Sequence, residues 1–224
     1  MPTAGAKRVK TNRELPWIEP IRPIRRADAF DHPDWLFELK YDGFRALLYI
    51  EALRARFMSR NRNEMSRFRD LAQAIRAELD GHTAILDGEL VCLDQEGRPM
   101  FNDLLYKRGM ALYSAFDLLW LDGEDLRGLP LVKRKARLEK LLPPRSACVR
   151  YVAHFEEFGH ALFKEVKKRD LEGVVAKCKD APYVSEKTTW YKIKNRSYSQ
   201  AEGRNGLFDG MRNRENAAPS DALA

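Results

Sequence analysis

The chain has 224 residues, with 40 Lys and Arg against 33 Asp and Glu, a formal charge of +7 and a pI near 9.3. That length supplies one large domain or two small ones with a buried core, and 44% hydrophobic content is ordinary for a globular protein. The positive balance favours an anionic partner, nucleic acid being the commonest, while three scattered cysteines (Cys92, Cys148 and Cys178) argue against a disulfide framework or a zinc site.

Residues 1–12 are polar and basic and lack the apolar core of a signal peptide, and no apolar run approaches the ~20 residues of a membrane span. A cytoplasmic protein without a membrane partner is expected. Residues 1–15 read as a flexible basic arm, and Pro16, Pro20, Pro23 and Pro33 punctuate an extended lead-in, since proline disfavours helix there. Strands are predicted over 35–40, 44–51 and 54–59, followed by a helix in which Met65, Phe68, Leu71, Ala72, Ile75 and Leu79 recur at helical spacing. Residues 83–93 form a buried strand broken at Asp87-Gly88, and 111–121 form another, ended by the Asp122-Gly123 turn. A second helix over 133–142, charged on one face, stops at Pro143-Pro144, and a strand follows over 149–153. A third helix is predicted over 155–168, with Phe155, Phe158, Leu162, Phe163 and Val166 inward, before two last strands over 173–178 and 189–194. From 196 to 224 the chain is too poor in apolar residues to bury a core and reads as a disordered or loosely docked tail. One α+β domain over residues 16–195, strands with three helices packed outside them, is the expectation.

Five strings carry candidate chemistry. In Glu38-Leu39-Lys40-Tyr41-Asp42-Gly43-Phe44-Arg45 a lysine ends a strand just before an Asp-Gly turn, which fixes its position. A lysine amine attacks only when deprotonated, and burial or a neighbouring cation favours that form. Ser59-Arg60-Asn61 offers a guanidinium fork to ribose or phosphate oxygens. In Leu86-Asp87-Gly88-Glu89-Leu90, Glu89 lies between apolar neighbours and is placed at a cleft; the similar Leu121-Asp122-Gly123-Glu124 reads instead as a solvated turn. Glu172 and Lys177 flank a strand five residues apart, so they reach one site only if Gly173 bends the chain or Glu172 lies outside the strand. Lys192 and Lys194 share one face of the last strand, a clamp suited to phosphate that also depresses the pKa of a third lysine nearby.

Taken in order, these strings resemble the nucleotidyltransferase domain of ATP-dependent DNA ligases, most closely the ligase modules of bacterial end-joining systems. Glu38 to Arg45 is similar to the family's E-x-K-x-D-G-x-R signature, and Ser59-Arg60-Asn61, Asp87-Gly88-Glu89, Ala115-Phe116-Asp117, Glu172-Gly173 through Lys177 and Lys192-Ile193-Lys194 follow in the family's order over about residues 16–195. The resemblance implies an ATP-grasp-like adenylation fold with antiparallel sheets flanked by helices. It also implies that Lys40 takes AMP from ATP as a phosphoramidate, with Glu38 near the adenine and Phe116 stacked on it. Arg45, Arg60 and Glu89 would hold the ribose and neighbouring phosphate oxygens, Glu172 a Mg²⁺ ion, and Lys192 and Lys194 the α-phosphate, with Lys177 at the nucleotide edge. Nicked or broken double-stranded DNA is the implied substrate.

Two departures stand out. The residues after 195 are too few for the oligonucleotide-binding barrel that usually follows in the family, so a stand-alone domain or a fragment is expected, with slow self-adenylation, DNA held by the domain's own basic surface, and repair proteins or a barrel acting in trans. The family's glycine after Ser-Arg-Asn is replaced by Arg62. An RNA ligase, a capping-type nucleotidyltransferase and a non-catalytic nucleotide- or DNA-binding remnant remain alternative readings.

Overall fold

The computed structural model describes residues 15–186 and 189–201, so the expected basic arm, but for Leu15, and most of the expected tail lie outside the described residues. The elements follow in the order β1 (Ile24–Arg26), β2 (His32–Leu39), β3 (Phe44–Ile50), β4 (Ala55–Ser59), α1 (Arg69–Glu78), β5 (Ala84–Cys92), α2 (Phe101–Tyr106), β6 (Ala111–Leu121), β7 (Glu124–Asp125), α3 (Leu131–Leu141), β8 (Val149–Tyr151), β9 (His154–Glu157), α4 (Gly159–Lys168), β10 (Gly173–Cys178) and β11 (Trp190–Lys194). They build two sheets. The first has the order β1-β11-β10-β2-β9; the second runs β4-β3-β5-β6-β7, with β8 also paired to β6. All neighbours are antiparallel except β1 with β11 and β6 with β8.

Period-two alternation gives each sheet an outer and an inner face. On the first sheet Phe37, Val174, Ala176 and Ile193 face α4 and meet Leu162 and Val166. On the second, Ala46, Leu48, Ile50, Leu86 and Leu90 pack outward on Ala72, Ile75 and Leu79 of α1 and its C-terminal edge, with Leu104 of α2 and Leu138 of α3 in the same cluster. Between the sheets Leu47, Tyr49, Ile85 and Leu119 meet Trp190 of the first sheet, Tyr183 and the lead-in residues Leu15, Ile18 and Ile21. Two tyrosines tie the lead-in down, since Ile18 N donates to Tyr49 Oη at 3.2 Å and Ile21 N to Tyr183 Oη at 3.1 Å.

The chain first crosses from one sheet to the other between β2 and β3, over residues 40–43. Lys40 N still donates to Gly173 O at 2.9 Å, so pairing with β10 continues one residue past β2. Gly43 is required at the crossing, because a Cβ there would stand 2.1 Å from Leu90 O.

The expected helix over 155–168 is corrected at its start. Residues 154–157 form β9, pairing with the open edge of β2 (Phe37 with Phe155, Glu38 with His154). Phe155 and Phe158 are therefore 53% and 62% exposed instead of inward. The helix begins at Gly159, where a Cβ would stand 2.2 Å from Phe30 O and 2.4 Å from Phe37 Cε1. The six-residue α2 was not foreseen, which makes four α-helices among the described residues instead of three.

The helix expected over 133–142 keeps its charged face, with Lys133 and Lys140 exposed, but it also turns two charged side chains inward, which was not foreseen. α3 buries Arg134 and Lys135 at 0% and 1% exposure. Arg134 Nε and Nη2 donate to Asp117 Oδ1 and Oδ2 of β6 at 2.8 and 2.9 Å, and Nη1 donates to Ala181 O at 3.1 Å. A buried pair of this kind costs most when one partner is removed. Arg134→Met is expected to lower unfolding free energy by about 3–5 kcal/mol in urea titrations, and the double variant Arg134→Met/Asp117→Leu to recover much of it. A double variant as unstable as the sum of the two single ones would show that the pair carries no coupling.

Candidate active site

Lys40 stands where the two sheets meet, with its side chain 22% exposed and Nζ 2.6 Å from Glu172 Oε2. Glu172, almost fully buried, lies just before β10, outside the strand, and its Oε1 is 3.4 Å from Lys194 Nζ. Asn195 N donates to Glu172 O at 2.9 Å, and a Cβ on Gly173 would stand 2.2 Å from Ile193 O, so the backbone that carries the carboxylate is held from both sides. Glu172 and Lys177 consequently serve different clusters.

The second cluster is centred on Glu38. Its Oε1 is 2.5 Å from Lys135 Nζ and its Oε2 2.6 Å from Lys177 Nζ, with all three side chains at most 2% exposed. Lys135 also donates to Val152 O at 3.1 Å and Phe116 O at 3.3 Å. Lys177 Nζ lies 4.0 Å from the ring centroids of both Phe116 and Trp190, within cation–π range. Burial alone would push the Glu38 carboxyl up, but Lys135 and Lys177 outweigh it and hold it below the usual range. Burial draws Lys177 down to about 8, against the pull of Glu38.

Arg45 of β3 forms a bidentate pair with the fully buried Asp87 of β5, Nε and Nη2 each 2.6 Å from a carboxylate oxygen, while Tyr183 Oη donates to Asp87 Oδ2 at 2.7 Å. The Arg45 guanidinium also lies 4.8 Å from the Phe116 ring. Opposite Arg45 in the β3–β5 register is Glu89. Burial, reinforced by Glu172 and Asp87 and opposed by Lys40 and Arg45, pushes the Glu89 carboxyl up to about 7. Lys192, on the same strand face as Lys194, is drawn down by burial and then by Lys194 and Lys40.

Lys40, Glu172, Lys192, Lys194 and Glu89 thus act electrostatically on one another, and Glu38, Lys177, Phe116 and Arg45 line the adjoining inter-sheet space. Arg60 is apart: it is exposed in the turn after β4 and makes no hydrogen bond or ion pair among the described residues. In that turn Arg62 takes a left-handed φ of 62°, a conformation glycine adopts with least strain, and its guanidinium lies 5.0 Å from the Trp17 ring. Sequence reasoning missed Lys135, Asp87, Tyr183 and Trp190 as members of this assembly. For Lys135 a signal existed: Leu131, Leu138 and Leu142 mark the inward stripe of α3, and position 135 lies on it.

A family model described as the ATP-dependent DNA ligase domain matches residues 19–194. The multifunctional non-homologous end joining protein LigD of Pseudomonas aeruginosa is 38% identical over 200 residues, covering 84% of this chain and 24% of that protein. DNA ligase C of Mycobacterium tuberculosis is 30% identical over 202 residues, covering 81% of this chain and 56% of that one. Among solved structures, a mycobacterial DNA ligase D complexed with ATP and MES superposes with a TM-score of 0.70 at 30% identity, covering 79% of this chain and 60% of that one. The chain therefore spans less than two thirds of the length of each of these relatives.

The raised Glu89 pKa has a sign that can be checked. A carboxyl at about 7 when folded and near 4.5 when unfolded contributes stability below pH 4.5 that is lost as pH rises through 7. Glu89→Gln, which never ionises, is expected to gain melting temperature relative to the parent as pH goes from 5 to 8. A difference that stays flat across that range would show that Glu89 titrates as an ordinary surface carboxylate.

Proposed function

The chain belongs to the ATP-dependent DNA ligase family, and on that premise we propose that it charges Lys40 with AMP from ATP and passes the AMP to a 5′-phosphate at a nick or break in double-stranded DNA. The observation that carries this reading is Lys40 Nζ, partly exposed at the junction of the sheets and hydrogen-bonded to Glu172 beside Lys194. In the first step the neutral Lys40 amine attacks the α-phosphorus. The N–P bond forms, the bond between the α-phosphorus and the bridging oxygen breaks, and its electron pair leaves with pyrophosphate. Glu172 Oε2, at 2.6 Å, is the acceptor at hand for the proton the nitrogen sheds. Lys192 and Lys194 offset the charge that builds on the phosphorus oxygens, the main source of catalysis in such transfers.

The remaining residues form the nucleotide seat. Phe116 supplies the stacking face for adenine, with Glu38 and Lys177 at the base edge and Lys135 keeping Glu38 in place. Arg45 keeps Nε and Nη2 on Asp87, while Nη1, without a protein partner among the described residues, is left for the ribose with Glu89; Arg60, exposed in the turn after β4, would have to reach the nucleotide from outside this cluster. In the second step a DNA 5′-phosphate oxygen attacks the lysyl-bound phosphorus and the N–P bond breaks, returning the electron pair to Lys40. In the third, the adjacent 3′-hydroxyl attacks the 5′-phosphate and AMP departs.

Mg²⁺ fits this donor set. The ion is commonly bound by one or two carboxylates with substrate phosphates, and Glu172 supplies one carboxylate between Lys40 and Lys194. Glu172 would hold it, and it would supply further neutralisation of phosphate charge. The described residues form no oligonucleotide-binding barrel. No helix among the described residues is long and apolar enough to cross a membrane.

Intact mass spectrometry after incubation with ATP and Mg²⁺ is expected to show one AMP adduct, mapped to Lys40, that nicked DNA discharges. Lys40→Ala is expected to show none, and a Lys40→Ala chain labelled as fully as the parent would sink the assignment. Nicked RNA in place of DNA, and GTP in place of ATP, are expected to react poorly; the reverse preference would favour the RNA-directed reading.

A further inference from the structure

One cation on the inner face of the first sheet has no part in the chemistry above. β1 pairs in parallel with β11 so that Arg25 stands opposite Lys192, between Ile24 opposite Tyr191 and Arg26 opposite Ile193. Registered neighbours project from the same face of a sheet, and successive residues from opposite faces. Arg25 therefore shares the face of Lys192 and Lys194, and of Val175 and Glu38 farther along the same cross-strand row. The next residue confirms the alternation. The Arg26 guanidinium lies 4.3 Å from the Phe30 ring and 5.7 Å from the Tyr191 ring, on the outer face that packs against α4.

Arg25, Lys192 and Lys194 form a bent row of cations, with steps of about 4.8 Å between strands and about 6.7 Å along the strand. At the Lys194 end Glu172 relieves the repulsion. At the other end no carboxylate among the described residues pairs with Arg25 or Lys192, although Arg22 pairs with Glu19 and Arg45 with Asp87 nearby. Lys192 feels Arg25 as one of the charges that draw its ammonium down. Of these three cations only Lys194 has a paired acid; Arg25 and Lys192, side by side without one among the described residues, call for an anion, and one with several charged groups in line matches the row better than a single phosphate.

We infer that Arg25 binds the β- and γ-phosphates of ATP and holds the pyrophosphate that leaves as Lys40 is adenylated, an inference that rests on the reading of Lys40 as the nucleophile. Lys40 and Lys194 mark the α-phosphate end of the row; Arg25 lies one strand farther out, beyond Lys192. When the bond between the α-phosphorus and the bridging oxygen breaks, the electron pair and the new negative charge settle on the pyrophosphate, against Lys192 and Arg25. In the reverse direction the same contacts seat inorganic pyrophosphate as it attacks the lysyl-bound phosphorus, re-forming ATP and freeing the Lys40 amine.

The test uses the full chain and three variants, Arg25→Ala, Arg25→Lys and Arg26→Ala, with matched melting temperatures as the check on folding. Three quantities are measured: the ATP dependence of self-adenylation with Mg²⁺, the discharge of preformed adenylate by inorganic pyrophosphate, and the sealing of a pre-adenylated nick. Arg25→Ala is expected to raise both the ATP KM and the pyrophosphate concentration for half-discharge by about three- to tenfold, the loss of one charge-assisted contact. Arg25→Lys is expected to recover part of each loss and Arg26→Ala to change neither. Sealing of the pre-adenylated nick, which involves no triphosphate, is expected to stay at the parent rate in all three. Unchanged ATP and pyrophosphate dependence in Arg25→Ala overturns the inference. So does a matching fall in sealing of the pre-adenylated nick, which would put Arg25 on DNA phosphate. A parent chain that takes up no AMP overturns the adenylation reading itself, and Arg25 with it.

Discussion

A single buried carboxylate joins the halves of this fold. Glu38 belongs to β2 in the first sheet, while Lys135 belongs to α3, which is locked to β6 of the second sheet through Arg134 and Asp117. Lys177, from β10, closes the set on the first-sheet side. Removing a carboxylate or an ammonium from water costs several kcal/mol per ion, so such a group persists only where partners meet it. The inter-sheet space is therefore fixed by mutual need: shifting one sheet against the other would part Lys135 from Glu38 and leave a buried ammonium without its carboxylate. Exposed pairs such as Arg98 with Asp94 or Arg137 with Glu124 have no comparable hold, being worth about 0–1 kcal/mol each.

The constraint places the chemistry. With β2 held at Glu38, the next residues turn out of the first sheet at Lys40, and Gly43 lets them pass against Leu90 into the second. Lys40 is thus two residues from a buried charge cluster yet itself partly exposed. The inner face of the first sheet grades along its row from Glu38, dry and paired, to Arg25, wet and without an acidic partner among the described residues. A nucleotide that lies along that face keeps its base at the enclosed end and its phosphates at the open one.

Much of this was legible in the sequence, for identifiable reasons. Period-two patterns and the Asp-Gly turns located the strands, but the break expected at Asp87-Gly88 is corrected: β5 runs unbroken and in register with β3, and the register shift there puts the extra residue, Phe116, on β6. The order of the short strings was enough for the family, now matched over residues 19–194. What failed was local. Phe155 and Phe158 are spaced as on a helix, but the free edge of β2 claims residues 154–157 as a strand, a tertiary preference no local pattern expresses. α2 is too short to show a periodic stripe. That Arg134 and Lys135 turn inward was not foreseen, because each acid that neutralises them comes from a distant strand, Asp117 and Glu38.

The gradation from Glu38 to Arg25 also divides the site by its response to ionic strength. At physiological salt, charges in solvent are screened beyond about 8 Å, whereas buried pairs are screened far less. Arg25, like the 44% exposed Lys194, sits in the screened regime, and Glu38, Lys135 and Lys177 sit outside it. On the proposed reading, added electrolyte weakens the hold on a polyphosphate at the open end while the buried ion pairs at the other end persist, so ligand capture and fold integrity in this domain would answer to different solution variables.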